Sequence, residues 1–216
     1  MAAEFAVLSG QPVASRSAFD LASAVLEKDA HNTRALAVLA KDGAKRRDWQ
    51  SAYGAMQSLS QLEPLSLENT LLYVQICLAL NKVEQARTLL DAVYNSDTAD
   101  ENVRQWYIRL LIAEGKKNEA SALINALLPQ SAGKMKSVLY YEKSRLASTD
   151  SQILSDLRSS LTANPRNENA LYDLYAYYYR QKDYRKAQYY LKQVIALNPS
   201  DAALLKLNSE LDRLVR

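Results

Sequence analysis

The sequence predicts an all-α chain, a solenoid of stacked helical hairpins. Three observations predict it. An alanine recurs at Ala18, Ala52, Ala86 and Ala120, each 34 residues from the last, and after a 33-residue step to Ile153 it returns at Ala187. Apolar residues around these positions keep the i, i+3, i+4, i+7 spacing of one helical face. Leu171, Leu174, Tyr175 and Tyr178 do so in one segment, and Tyr184, Ala187, Leu191, Val194 and Leu197 in the next. Five glycines and five prolines in 216 residues are few, as a chain of helices with short turns requires.

The stretch from Asn169 to Pro199 shows the unit most clearly. Two amphipathic segments are broken at Gln181-Lys182-Asp183 and closed by Asn198-Pro199. Ala187 is the small residue that lets the two helices approach. Proline ends the second, because it has no N–H to donate and restricts the residue before it. Asn164-Pro165 stands 34 residues upstream, and Pro64 lies 34 residues beyond Ala30. With Leu171, Leu174, Tyr178, Tyr184, Ala187 and Pro199 in these places, the stretch resembles the tetratricopeptide repeat (TPR), a helix–turn–helix unit of about 34 residues. Two positions depart from the family pattern: Tyr175 stands where a small residue is usual, and Leu191 replaces an aromatic. The resemblance covers nearly the whole chain, and it implies a right-handed superhelical solenoid.

The period divides the chain in order. Residues 1–32 hold a partial repeat, whose second helix is expected from about Ala14 to Lys28. Only Phe5 to Ser9, with the turn Gly10-Gln11-Pro12, stand where its partner should be. Residues 1–5 read as vector-derived, Glu4-Phe5 being a common cloning scar, and the chain as a fragment of a longer protein. Residues 33–66 form a repeat around Leu36, Leu39, Trp49, Ala52, Met56 and Leu59. Residues 67–100 repeat the plan around Tyr73, Cys77, Ala86, Leu90 and Val93, with Leu71, Leu72, Leu78 and Leu80 leaving apolar side chains for the concave side. Residues 101–133 follow with Tyr107, Leu111, Ala120, Ile124 and Leu127, and Gly115 in a turn that favours positive φ. Residues 134–167 are a divergent repeat: Ile153 replaces the alanine, so its helices should sit further apart, and Ser148-Thr149-Asp150 can cap the return helix. Residues 168–199 are the tyrosine-rich repeat, and 200–216 a terminal helix with a stripe of Leu204, Leu207, Leu211 and Leu214. That helix reads as the polar-backed cap a solenoid needs, or as the opening of a further repeat.

Composition excludes several function classes. A net charge of +3, from 27 basic and 24 acidic residues, is too balanced for nucleic acid to be the expected partner. Stacking on RNA bases stays a minor alternative. Cys77 is the one cysteine, so no intrachain disulfide can form, and its helical position reads as packing rather than as a nucleophile. No apolar run approaches the ~18–20 residues of a membrane span. No signal-peptide pattern is legible, which in a fragment carries no weight, and the compartment stays open. His31, the single histidine, sits in a turn without a cysteine partner, and no nucleotide, hydrolase or metalloprotease motif occurs. We therefore expect no enzyme activity, no cofactor and no metal.

Binding of a protein or peptide is what the resemblance implies, in a concave groove lined by the first helix of each repeat. Projecting those helices places Lys41, Lys45, Gln75, Gln105, Trp106, Arg109, Glu142, Arg145, Tyr172, Asp173, Tyr179 and Arg180 towards it. For each, packing against the neighbouring repeat is the alternative. Lys41, Lys45, Arg46 and Arg47 read as a solvated turn or as one end of a groove for an acidic partner. Tyr107 is expected in the core, leaving Trp106 partly exposed, and tryptophan and arginine often dominate binding energy. TPR co-chaperones hold a terminal carboxylate with lysine, asparagine and arginine; the corresponding positions here are Ala37, Lys41, Leu72, Asn102 and Trp106, and only Lys41 could serve. An apolar or mixed peptide is the better expectation. Of 14 tyrosines, eight lie between Tyr172 and Tyr190, and the surplus (Tyr177, Tyr179, Tyr189 or Tyr190) could form a ridge for a protein or glycan. The scaffold reading leads. The second is an assembly module, joining copies through the repeat ends or the tyrosine ridge within a larger protein, such as a bacterial envelope or polysaccharide-export scaffold.

Overall fold

The computed structural model describes Glu4, residues 17–94 and residues 100–215. The expected helix Phe5 to Ser9 and the turn Gly10-Gln11-Pro12 lie outside the described residues. Twelve α-helices account for most of the rest, and no strand occurs among the described residues. The chain is an all-α helical-repeat solenoid and divides into two compact units, Met1–Glu114 and Gly115–Arg216.

The first unit holds α1 (Ala18–Leu26), α2 (Thr33–Lys45), α3 (Trp49–Leu62), α4 (Leu67–Ala79), α5 (Val83–Asp91) and α6 (Glu101–Ala113). Consecutive helices pack as hairpins, and α4 also touches α2 and α6. The second unit holds α7 (Lys117–Leu127), a 3₁₀ turn at Leu128–Gln130, α8 (Gly133–Leu146), α9 (Asp150–Ala163), α10 (Glu168–Arg180), α11 (Tyr184–Leu197) and α12 (Ala202–Leu214).

Local chemistry sets these bounds. Asn32, Asp48, Ser66, Asp100, Thr149, Asn167, Asp183 and Asp201 each cap a helix by accepting a backbone N–H from its first turn. The turn inside the hairpin has its own period. Arg47, Asn81 and Lys182 adopt left-handed φ of 61°, 57° and 59°, and Gly115 one of 75°. After each of the three non-glycine residues the next N–H reaches back five residues: Asp48 to the Gly43 carbonyl at 2.8 Å, Lys82 to Cys77 at 2.8 Å and Asp183 to Tyr178 at 3.0 Å. This closes the helix end and satisfies carbonyls the helix leaves open. The divergent hairpin lacks the device: Ala147 is extended, and α9 is capped by Thr149.

Small residues carry the close approaches. Ala52, Ala86, Ala120 and Ala187 are fully buried, and Ala18 nearly so. Ile153 is only half-buried. Between α8 and α9 the fully buried small residues are instead Ser137 and Ser160, whose hydroxyls lie 3.0 Å apart. Cys77 is buried against Tyr73 and Val74, and burial pushes its thiol up to about 11, which makes it inert. Tyr107, expected in the core, is half-buried; Ile108, Leu110 and Leu111 take the core of α6. Its ring lies instead on Tyr94, with centroids 3.9 Å apart.

Gly43 marks a close helix contact. A Cβ there would meet the Ala52 Cβ at 3.1 Å and the Asp48 carbonyl oxygen at 3.2 Å. Gly43→Val should therefore destabilise by about 2 kcal/mol through overpacking. Gly54, with nothing near its own Cβ position, should respond oppositely, Gly54→Ala stabilising by about 0.5–1 kcal/mol. Urea denaturation of both variants reads the contrast, and equal shifts would refute the close-contact assignment.

Candidate interaction clefts

In the first unit, α4 and α6 run side by side and leave a cleft of about 410 Å³ between them. Successive turns of α4 contribute Leu67, Leu71, Leu72 and Gln75, and α6 contributes Asn102 and Trp106. The floor is apolar because α4 has leucines on more than one face, so burying one stripe in the core leaves the others at the surface. Lys41 from α2 reaches the rim and pairs with Glu68 of α4, while Asp100 closes one end and caps α6. Trp106 is half-buried, and the Arg109 guanidinium lies over its ring at 4.6 Å. With its amide oxygen turned to that guanidinium, Gln105 accepts from Arg109 at 2.9 Å. This arrangement holds the indole on one side and leaves its other side to the cleft. Lys45 is exposed and lines no part of this cleft.

The second unit has a more polar cleft of about 620 Å³. Arg145, Asp173, Tyr177 and Arg180 line it over a floor of Ile153 and Leu157. Glu142, projected from the sequence to a partner-facing position, is fully buried and cannot touch a partner. One turn of helix explains the error: α8 turns Glu142 inward beside Leu139, and Arg145 reaches back to donate to its carboxylate at 2.8 Å. Arg145 is thus a tether as well as a rim residue. Tyr172 and Tyr179 are exposed, 43% and 42%, but lie outside this cleft, Tyr172 edge-on to Tyr175 at 5.5 Å and Tyr179 tilted against it at 6.0 Å.

Burial pushes the Asp173 carboxyl above the ordinary aspartate value, against the Tyr141 hydroxyl, Arg145 and Arg180, which favour its charged form. The folded state then binds this proton more readily than the unfolded chain. Its unfavourable contribution appears as pH rises through the raised pKa and is absent below the ordinary 3.8. Asp173→Asn should thus stabilise the protein at neutral pH and lose that advantage below 3.8. Urea midpoints at the two pH values check this, and an advantage equal at both would refute it.

Sequence reasoning missed Leu67 and Asp100 as residues of the first cleft, and Asp150 and Tyr177, which line the second. The leucine richness of α4 was the available signal for Leu67; the sequence reading gave Asp100 no role. Among the described residues no group of histidine, cysteine, aspartate or glutamate is arranged to hold a metal, and no described helix is long and apolar enough to cross a membrane.

Comparison with known proteins agrees with this fold. Residues 14–93 match the family model for anaphase-promoting complex, cyclosome, subunit 3. The crystal structure of yeast Tom70 is similar, with a TM-score of 0.57 and 14% sequence identity over 98% of this chain and 46% of that one. The chain thus spans under half the length of that protein. No curated protein matches it. The repeated hairpins define a class, the helical-repeat proteins. Within that class its hairpins are similar to the tetratricopeptide type.

Proposed function

We propose that this protein is a non-catalytic scaffold that binds an apolar segment of a protein partner in the cleft between α4 and α6. The observation that carries this reading is the floor of Leu67, Leu71, Leu72 and Trp106, partly exposed to solvent inside a preformed concavity. Such surfaces gain free energy when an apolar side chain displaces their water. Lys41, Glu68 and Asn102 on the rim would orient the segment by hydrogen bonds. The repeats are read as 33–66, 67–100, 101–133, 134–167 and 168–199, each presenting its first helix to partners.

The test compares the native chain with a Trp106→Ala, Arg109→Ala double variant in a pull-down from the native lysate. The partner should be lost from the variant while helical circular dichroism is unchanged, since both side chains are only half-buried. Loss of a central tryptophan is expected to weaken binding by about 2 kcal/mol or more, roughly thirtyfold. A partner captured equally by both proteins would overturn the assignment.

A further inference from the structure

The near-neutral total charge hides a split. Residues 1–114 carry 11 lysines and arginines against 14 aspartates and glutamates, whereas residues 115–216 carry 16 against 10. In the second unit the excess gathers on α11. That helix holds Arg185, Lys186 and Lys192 and no acidic residue, and Lys182 precedes it. The corresponding helices differ: α3 has no charged residue within its bounds, and α5, α7 and α9 mix both signs. α11 packs on α10 and α12, and away from them Arg185, Tyr189 and Lys192 are exposed at i, i+4 and i+7. Tyr189 is the most exposed large hydrophobic-class side chain described, at 63%. Its neighbour Tyr190 meets it edge-on, with ring planes at 80°, and so does not cover it. Lys186 pairs with its cap residue Asp183, but among the described residues no carboxylate lies within ion-pair distance of Arg185 or Lys192. Beside this stripe, Arg158 from α9 rests on the Tyr178 hydroxyl at 3.0 Å, again without a carboxylate.

We propose that the outer face of α11 is a second docking surface, for an acidic segment of a protein partner, with Tyr189 as its anchor and Arg185 and Lys192 as the charges that select it. Cations two helical turns apart match carboxylates two turns apart on a facing helix, as between paired helices. Tyrosine supplies contact area at small entropic cost. The surface is the ridge of one helix, whereas single-stranded nucleic acid is held in basic grooves that track its backbone. This surface is separate from the cleft between α4 and α6, and the inference does not rest on that site.

The probe is a synthetic helical peptide with glutamates two turns apart and leucines between, titrated by fluorescence anisotropy into the full chain at low salt. Binding should weaken about tenfold or more in Arg185→Glu, Lys192→Glu, and also as salt is raised. Tyr189→Ala should weaken it without altering the salt dependence. Trp106→Ala, Arg109→Ala should leave it unchanged, which separates this surface from the cleft. Absence of binding, unchanged affinity in the charge-reversal variant, loss in the Trp106 variant, or equally tight binding of oligouridylate would each overturn the proposal.

Discussion

Arg87→Ala is expected to destabilise the first unit by about 3 kcal/mol. Arg87 projects from α5, and its Nε donates to Oε1 of Glu114 at 2.8 Å while Nη2 pairs with the second carboxylate oxygen. Nη1 donates to the Tyr107 hydroxyl at 3.0 Å, and Tyr107 in turn stacks on Tyr94. One guanidinium therefore ties α5 to the C-terminal end of α6 and to the segment leaving α5. The Arg87 and Glu114 side chains retain only 19% and 12% exposure, so truncation takes the guanidinium from a carboxylate already largely out of water. Removing one partner of a buried pair costs about 3–5 kcal/mol, and the residual exposure argues for the lower end. Replacing both, as Arg87→Met with Glu114→Leu, should recover most of the loss, because no buried charge is then left behind; Asp91, which also pairs with Arg87, is exposed. Equilibrium urea unfolding distinguishes the two variants. A loss below about 1 kcal/mol in Arg87→Ala would mean that solvent screens the pair as it does at a surface.

Asn167→Ala should cost a similar amount, about 3 kcal/mol, for a different reason. Its carbonyl oxygen accepts from the Ala170 N–H at 3.3 Å and caps α10. Its amide donates to the Ser137 hydroxyl at 2.9 Å and the Ser160 hydroxyl at 3.0 Å. Ser160 also donates to the Ser137 carbonyl at 2.8 Å, so three helices share one buried polar cluster. Alanine removes a cap, about 1 kcal/mol, and deprives two buried hydroxyls of their donor, about 1–3 kcal/mol more. Asn32→Ala is the control. Asn32 caps α2 through the Ala35 N–H at 3.1 Å, and its amide meets only the exposed Asp29, so its loss should cost about 1 kcal/mol. Equal thermal shifts for the two variants would refute a role for the serine cluster.

Much of the fold was legible in the sequence. Outside the divergent hairpin, each repeats a short-range grammar of capping side chain, apolar face, left-handed turn residue and small contact residue. The expected turn at Gln181-Lys182-Asp183 coincides with a left-handed Lys182, and Ser148-Thr149-Asp150 with the Thr149 cap of α9. The clefts were legible in part. Lys41, Gln75 and Trp106 line one, and Arg145, Asp173 and Arg180 the other. Glu142 was misplaced because helical projection assigns a direction to a residue but not the depth of its neighbours. Tyr107 was misplaced because an aromatic at an apolar period need not point inward when another ring and a guanidinium can cover it.

The sequence by itself determined where helices begin, where they turn back and which stripe of each is apolar. Caps, proline stops and helical periodicity act within about one or two turns of chain. Only the tertiary structure decided that Glu142 is buried with Arg145 across it, that Arg87 meets Glu114 and Tyr107, that Asn167 closes a cluster with Ser137 and Ser160, and that the leucines of α4 border a cleft. Most of these contacts join residues 20 to 30 positions apart. Whether a polar side chain there meets water, a partner or another charge depends on how closely neighbouring helices pack, which no local pattern encodes.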